Sequence, residues 1–201
     1  MVVIFTDGSV NDIQALYLLL SREDIHIDGI VVETCSSAKD IAICNVLQIL
    51  ALMERAVNIY LGSIRECNAS HENYDINLCT VTGNYNIVPH DVLMNIYKGD
   101  VVSLGMYDTM IQWLQNGSIT SLTIYIDVSS TDKGTIDLIL NTDIPKKVWM
   151  SDMIPYQLVG VARAISISNS VLRKTLGDLD KVNEWNFDKM IIMMDYLGYI
   201  E

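Results

Sequence analysis

Short β-branched runs alternate with stretches of helical apolar spacing along the first third of the chain. Val2 to Phe5 is a compact apolar run and predicts a buried strand. Thr6 to Asn11 is polar. From Asp12 to Arg22, apolar side chains recur at Ile13, Leu16, Tyr17 and Leu20, the spacing of one helix face. Ile25 to Thr34 predicts a second strand, with Gly29 inside it. Ser36 and Ser37 offer caps for a helix from about Lys39 to Arg55, and Val57 to Leu61 predicts a third strand. Strand–helix–strand–helix–strand at this spacing implies a parallel sheet with right-handed crossovers.

The pattern breaks between Gly62 and His90, a polar stretch carrying Asn68, Asn73, Asn77, Asn84 and Asn86 with no sustained period. It reads as a loop insertion over about 63–90, and a loop of that length in a compact domain usually has a function. Beyond it the spacing predicts a short helix near His90 to Tyr97 and a helix over Met106 to Asn116. A strand over Ser121 to Val128, a helix near Thr131 to Leu140 and a strand over Lys147 to Met150 follow. From about 154 to 201 the pattern is helical, with helices over Tyr156 to Thr175 and Asn186 to Leu197. Met190, Met193 and Met194, with Ile191 and Ile192, read as helix core or as a surface for a partner. No repeat or linker interrupts the chain. The prediction is one α/β domain over 1–201, an open, mostly parallel sheet of Rossmann-like order with helices on both faces and a helical C-terminal part.

Charge narrows the functional classes. Thirteen Lys+Arg against 25 Asp+Glu leave a net charge of −12, so neither nucleic acid nor an anionic membrane face is an expected partner. The longest apolar stretch, Ile41 to Met53, is interrupted by Asn45 and Gln48, and no membrane span is expected. The opening residues lack a cationic leader, and no two of Cys35, Cys44, Cys67 and Cys79 have the C-x-x-C spacing. Reduced thiols in a cytoplasmic compartment are expected. The abundance of Ile, Asn, Asp, Tyr and Met hints at an AT-rich genome, viral or parasitic, in which case the compartment is the host's cytoplasm.

The stretch Phe5-Thr6-Asp7-Gly8-Ser9-Val10-Asn11-Asp12 carries the most chemistry. It leaves the carboxyl end of the first strand, where open α/β sheets bind ligands. Asp7, Asn11 and Asp12 bring oxygens that suit a hard divalent cation. The structural alternative is capping: Ser9 or Asn11 as N-cap, with Asp12 on the positive end of the helix dipole. Gly8 supports only a turn, because both phosphate-binding glycine patterns are missing. Elsewhere, His26 on its alternating strand reads as exposed. His71–Glu72 and His90–Asp91 lack a third orienting group, and Cys35 has only Lys39 as a nearby cation.

Ile4-Phe5-Thr6-Asp7-Gly8-Ser9-Val10-Asn11-Asp12-Ile13-Gln14-Ala15 resembles the opening motif of the nucleoside hydrolases, in which an Asp, any residue and Asp-Pro-Gly precede an apolar residue and Asp-Asp. Ile27 to Val32 resembles that family's second strand, and Asn45 falls where a helix places an Asn. Val57 to Gly62, Ile119 to Ile124 and Val148 to Met150 resemble later strands. The resemblance implies hydrolysis of the N-glycosidic bond of nucleosides by a Ca²⁺-bound water whose proton passes to an Asp. Residue by residue, the pattern is altered. The first Asp is Phe5, Asp7 is kept as metal ligand and candidate base, Pro-Gly is Gly8-Ser9, and Asp-Asp is Asn11-Asp12. The sugar-contacting Asn aligns with Ser36 and the mobile-loop His-Gly with Thr82-Gly83. The family's C-terminal metal ligand has no counterpart, Asp195 being a poor substitute.

These matches imply a fold kept and an active site impaired. Candidate binding residues are Asn11, Ser36, Asn45 and Thr82, and a weak metal pair is Asp7 with Asp12. No cofactor is expected, weak Ca²⁺ being the alternative, and a site of this charge would bind it only at roughly 10⁻⁴ to 10⁻³ M. A homodimer or another protein partner is the expected mode of action. An active N-ribohydrolase and a nucleoside-binding sensor are the alternatives.

Overall fold

A computed structural model describes residues 1–66, 87–170 and 186–200. Seven parallel strands form one sheet in the order β4-β3-β2-β1-β5-β6-β7. They are β1 (Val2–Thr6), β2 (Ile27–Cys35), β3 (Ile59–Arg65), β4 (Val88–Pro89), β5 (Gly99–Ser103), β6 (Ile119–Ile126) and β7 (Lys146–Met150). The helices are α1 (Val10–Leu20), α2 (Lys39–Leu52), α3 (His90–Met94), α4 (Asp108–Gln115), α5 (Lys133–Asn141), α6 (Tyr156–Ser168) and α7 (Asp188–Tyr196). The open, parallel α/β architecture is the one expected from the sequence.

Burial on both faces explains the apolar strands. In β1, Val2 and Ile4 join Ile30, Val32 and Val102 under α1, α2 and α7, while Val3 and Phe5 join Val31 and Val101 on the other face under α3, α4 and α5. The Phe5 ring meets Trp113 edge-on, with centroids 5.1 Å apart at 89°. Phe5 thus belongs to the core, and the acidic position it replaces in the resembled motif has become packing.

Three expectations are corrected and one open alternative is decided. β5 lies at the centre of the sheet, paired with β1 and β6, yet its sequence Gly-Asp-Val-Val-Ser carries too short an apolar run to read as a strand. β3 starts at Ile59 and continues to Arg65, because Ile64 and Arg65 stay in register with Thr34 and Cys35. Ala38, not Ser36 or Ser37, stands at the N-cap of α2. The Met-rich segment is core: Met190, Ile191, Ile192 and Met193 are fully buried, so α7 leaves no apolar face for a partner. The expected loop at 63–90 is described only at its ends, and Tyr156 to Thr175 only as far as 170.

Candidate functional site

Strand order runs outward from the β1–β5 pair in both directions, so the chain leaves β1 and β5 toward opposite faces of the sheet and opens a crevice at the switch point. A cavity of about 320 Å³ fills it. Its walls include Asp7 and Asn11 after β1, Gly105 to Tyr107 after β5, Tyr125 and Asp127 at the end of β6, and Lys189 from α7. The site therefore draws on both halves of the chain.

The loop after β1 is fixed by its own side chains. Asp12 Oδ2 accepts the Thr6 hydroxyl at 2.5 Å and the Asp7 N–H at 2.8 Å; Gly8 N–H donates to Thr6 Oγ1 at 3.0 Å. Asp7 Oδ1 accepts the Ser9 N–H at 2.8 Å. Ser9 occupies the N-cap of α1, but its hydroxyl makes no cap bond, so capping accounts for only part of the motif. Asn45 reaches over from α2 and donates to the Gly8 carbonyl at 3.0 Å.

The remaining carboxylate oxygens face a cation supplied by the chain. Lys189 Nζ makes an ion pair with Asp12 Oδ1 and lies 3.4 Å from Asp7 Oδ2. Burial opposes the charge on Lys189, but Asp12 and Asp7 hold its pKa well above the usual lysine range. Burial and then the charge of Asp7 push the Asp12 carboxyl up, to about 7, against the pull of Lys189. Burial works in the same direction on Asp7, but the Lys189 charge and the Ser9 bonds overcome it and hold the group below the usual carboxylate value.

The sequence-predicted residues separate into three groups. Asp7 and Asn11 line the cavity, and Asp12 lies beneath it as the partner of Lys189. Ser36 is exposed beyond β2 and Asn45 is buried as a loop anchor, so neither lines the cavity. Thr82, Gly83 and His71 lie outside the described residues. His90 accepts the Trp113 indole N–H at 3.2 Å, with its pKa lowered by burial. Asp195 is buried in α7, accepting from Lys147 and Trp149 away from the cavity. Cys35 is disulfide-bonded, which overturns the expectation of reduced thiols throughout, while Cys44 is free.

Sequence reasoning missed Lys189, Tyr107, Tyr125 and Asp127. Lys189 did carry a signal, being the one cation in the run Asp188 to Asp195, otherwise dominated by Met and Ile.

Solved structures share this architecture. An inosine-uridine preferring nucleoside hydrolase from Bacillus anthracis superimposes with a TM-score of 0.68, at 13% identity, over 98% of this chain and 81% of its own. This is a nucleoside-hydrolase fold. A purine-preferring ribonucleoside hydrolase from Gardnerella vaginalis matches with a TM-score of 0.63, at 13% identity, over 97% of this chain and 71% of its own. A plant nucleoside hydrolase matches with a TM-score of 0.61, at 11% identity, over 98% and 78%. No protein-family model matches the sequence, and no curated protein matches it significantly.

The divalent cation implied by the resemblance does not fit the residues present. Both carboxylates facing its place are already engaged by Lys189, and no group of three His, Cys, Asp or Glu side chains with metal-binding geometry occurs among the described residues. Dehydrating a divalent ion requires several anionic oxygens, which this loop does not offer free.

Proposed function

We propose that the protein is a catalytically impaired nucleoside hydrolase-like scaffold that binds a nucleoside-class ligand without cleaving it. The observation that carries this reading is the polar cavity at the β1–β5 switch point, where Asp7, Asn11, Asp127 and Asp132 offer acceptors for sugar hydroxyls. Its 320 Å³ lies at the small end of ligand pockets. Hydrolysis needs a base whose pKa lies near the working pH. Asp7 is held low and faces an ammonium, so it is a poor proton acceptor. A protein-partner role loses its motive because α7 is buried, which favours the ligand-binding reading over docking.

Calorimetry with inosine, uridine, guanosine and free ribose tests this, alongside an assay for released ribose. Saturable heat with a nucleoside, no ribose release, and about tenfold weaker binding in Asn11→Ala are expected, the last being roughly one hydrogen bond. Ribose release abolished by a chelator, or no heat with any of these compounds, would overturn it.

A further inference from the structure

Buried carboxylates are costly unless a cation meets them. Asp12 is fully buried and Asp7 mostly so. The cation that meets them is anchored by its helix. Lys189 is the second residue of α7, whose Met190, Ile191 and Met193 are locked in the core. Ahead of it, Asn186 Oδ1 accepts the Asp188 N–H at 2.8 Å and Asp188 accepts the Tyr125 hydroxyl at 3.2 Å. The lysine side chain thus leaves a fixed backbone.

Its path is shaped by a glycine. Gly105, in the turn after β5, has φ +147°, and a Cβ there would stand 3.1 Å from Lys189 Nζ and 3.5 Å from Cε. The groups that act on the ammonium come from every side: Asp7 and Asp12 from the β1–α1 loop, Tyr107 after β5, Tyr125 and Asp127 at the end of β6, and Asp188 on α7 itself.

We propose that Lys189 is the resident cation of this site, an ammonium that takes the place of a free divalent ion between Asp7 and Asp12 and closes the pair to Ca²⁺ and Mg²⁺. A tethered cation acts at an effective concentration that free ions at micromolar level cannot match. An incoming divalent ion would also have to expel the ammonium from a pocket where its side chain is only 12% exposed, leaving a buried charge without its partners. The loop is therefore independent of metal supply. This concerns the carboxylate pair alone and stands whether or not a nucleoside binds above it.

Equilibrium dialysis against Ca²⁺ at about 10 mM, some tenfold above the weak end of protein sites, together with melting curves in Ca²⁺ and in EDTA, tests the proposal on three proteins. The wild type is expected to hold no stoichiometric Ca²⁺ and to melt at the same temperature in both. Lys189→Met is expected to bind one Ca²⁺ per chain, with Kd about 10⁻⁴ to 10⁻³ M, and to melt several degrees higher in Ca²⁺ than in EDTA. Lys189→Met combined with Asp12→Asn should lose both responses. If Lys189→Met folds only when Ca²⁺ is present, the proposal is equally supported. One Ca²⁺ retained by the wild type, a folded Lys189→Met indifferent to Ca²⁺, or a Lys189→Met that Ca²⁺ cannot fold while the double variant folds would each overturn it. None of these measurements depends on nucleoside binding, which the calorimetry above scores separately.

Discussion

Gly8 adopts φ +70°, and a Cβ at that position would meet the Ala42 carbonyl oxygen at 2.6 Å and its Cα at 2.9 Å. The loop and α2 therefore touch backbone to backbone, and the Asn45 bond to the Gly8 carbonyl holds them there. Gly8→Ala adds the left-handed penalty of about 1–2 kcal/mol to an overlap that only backbone movement relieves. A loss of at least about 2 kcal/mol in urea unfolding is expected on those grounds; a loss below half of that would mean the contact is looser than described. Thr6→Val is a gentler probe of the same loop. It removes the hydroxyl that donates to Asp12 Oδ2, leaving the Asp7 N–H on that oxygen. Since the acceptor is a buried carboxylate, a loss of about 1.5–3 kcal/mol is expected, read by the same unfolding curves. Asp7, Asn11 and Asp12 were legible in the sequence because their chemistry is local: three polar oxygens between a strand and a helix. Lys189 was not, because its partners lie far away in the chain and only the packing of α7 brings it to them.

At the scale of elements, period and length decided what was legible. β1, β2 and α1 carry sustained apolar patterns and read correctly to within a few residues. β5 offers only Val101 and Val102, one for each face of the sheet, between Gly99-Asp100 and Ser103. Its strand character comes from pairing with β1 and β6, which no local pattern encodes. Missing β5 also hid the switch point, and with it the far wall of the cavity. The helix α7 shows the opposite ambiguity: an all-round apolar run fits either a core or a partner surface, and the structure buries it against α1 and α6. Ile191→Ala discriminates between these. A buried isoleucine truncated to alanine costs about 2–5 kcal/mol, whereas a surface one stays within about 0.5 kcal/mol. The larger value is expected, with no dependence on protein concentration in the unfolding midpoint.

Over the whole molecule, acidity and burial combine to set the response to pH. The net charge of −12 at pH 7 and a pI near 4.5 mean that self-repulsion relaxes as the solution is acidified. Buried acids add a specific contribution. Glu33, inside the apolar run of β2, accepts the Asp108 and Thr109 N–H groups at 2.8 and 3.0 Å at the start of α4. Burial nevertheless pushes its carboxyl up, to about 7 from an ordinary 4.5, with the neighbouring Asp108 adding to the rise. Between those two values the folded chain holds a proton that the unfolded chain has released. Stability therefore falls as pH rises through this window, by up to about 1.4 kcal/mol per pH unit for a single proton. His90, lowered from 6.5, opposes it weakly by losing stability as pH falls. Asp7, held low, costs stability only below its ordinary 3.8 and lies outside the window. Comparing wild type with Glu33→Gln cancels these shared contributions, because the amide cannot titrate but still offers one oxygen to the start of α4. Urea unfolding at a series of pH values from 5 to 7 should give the variant a visibly shallower loss of stability with rising pH. Parallel slopes in the two proteins would mean that Glu33 is ionised throughout, held by the two N–H groups rather than protonated by its burial.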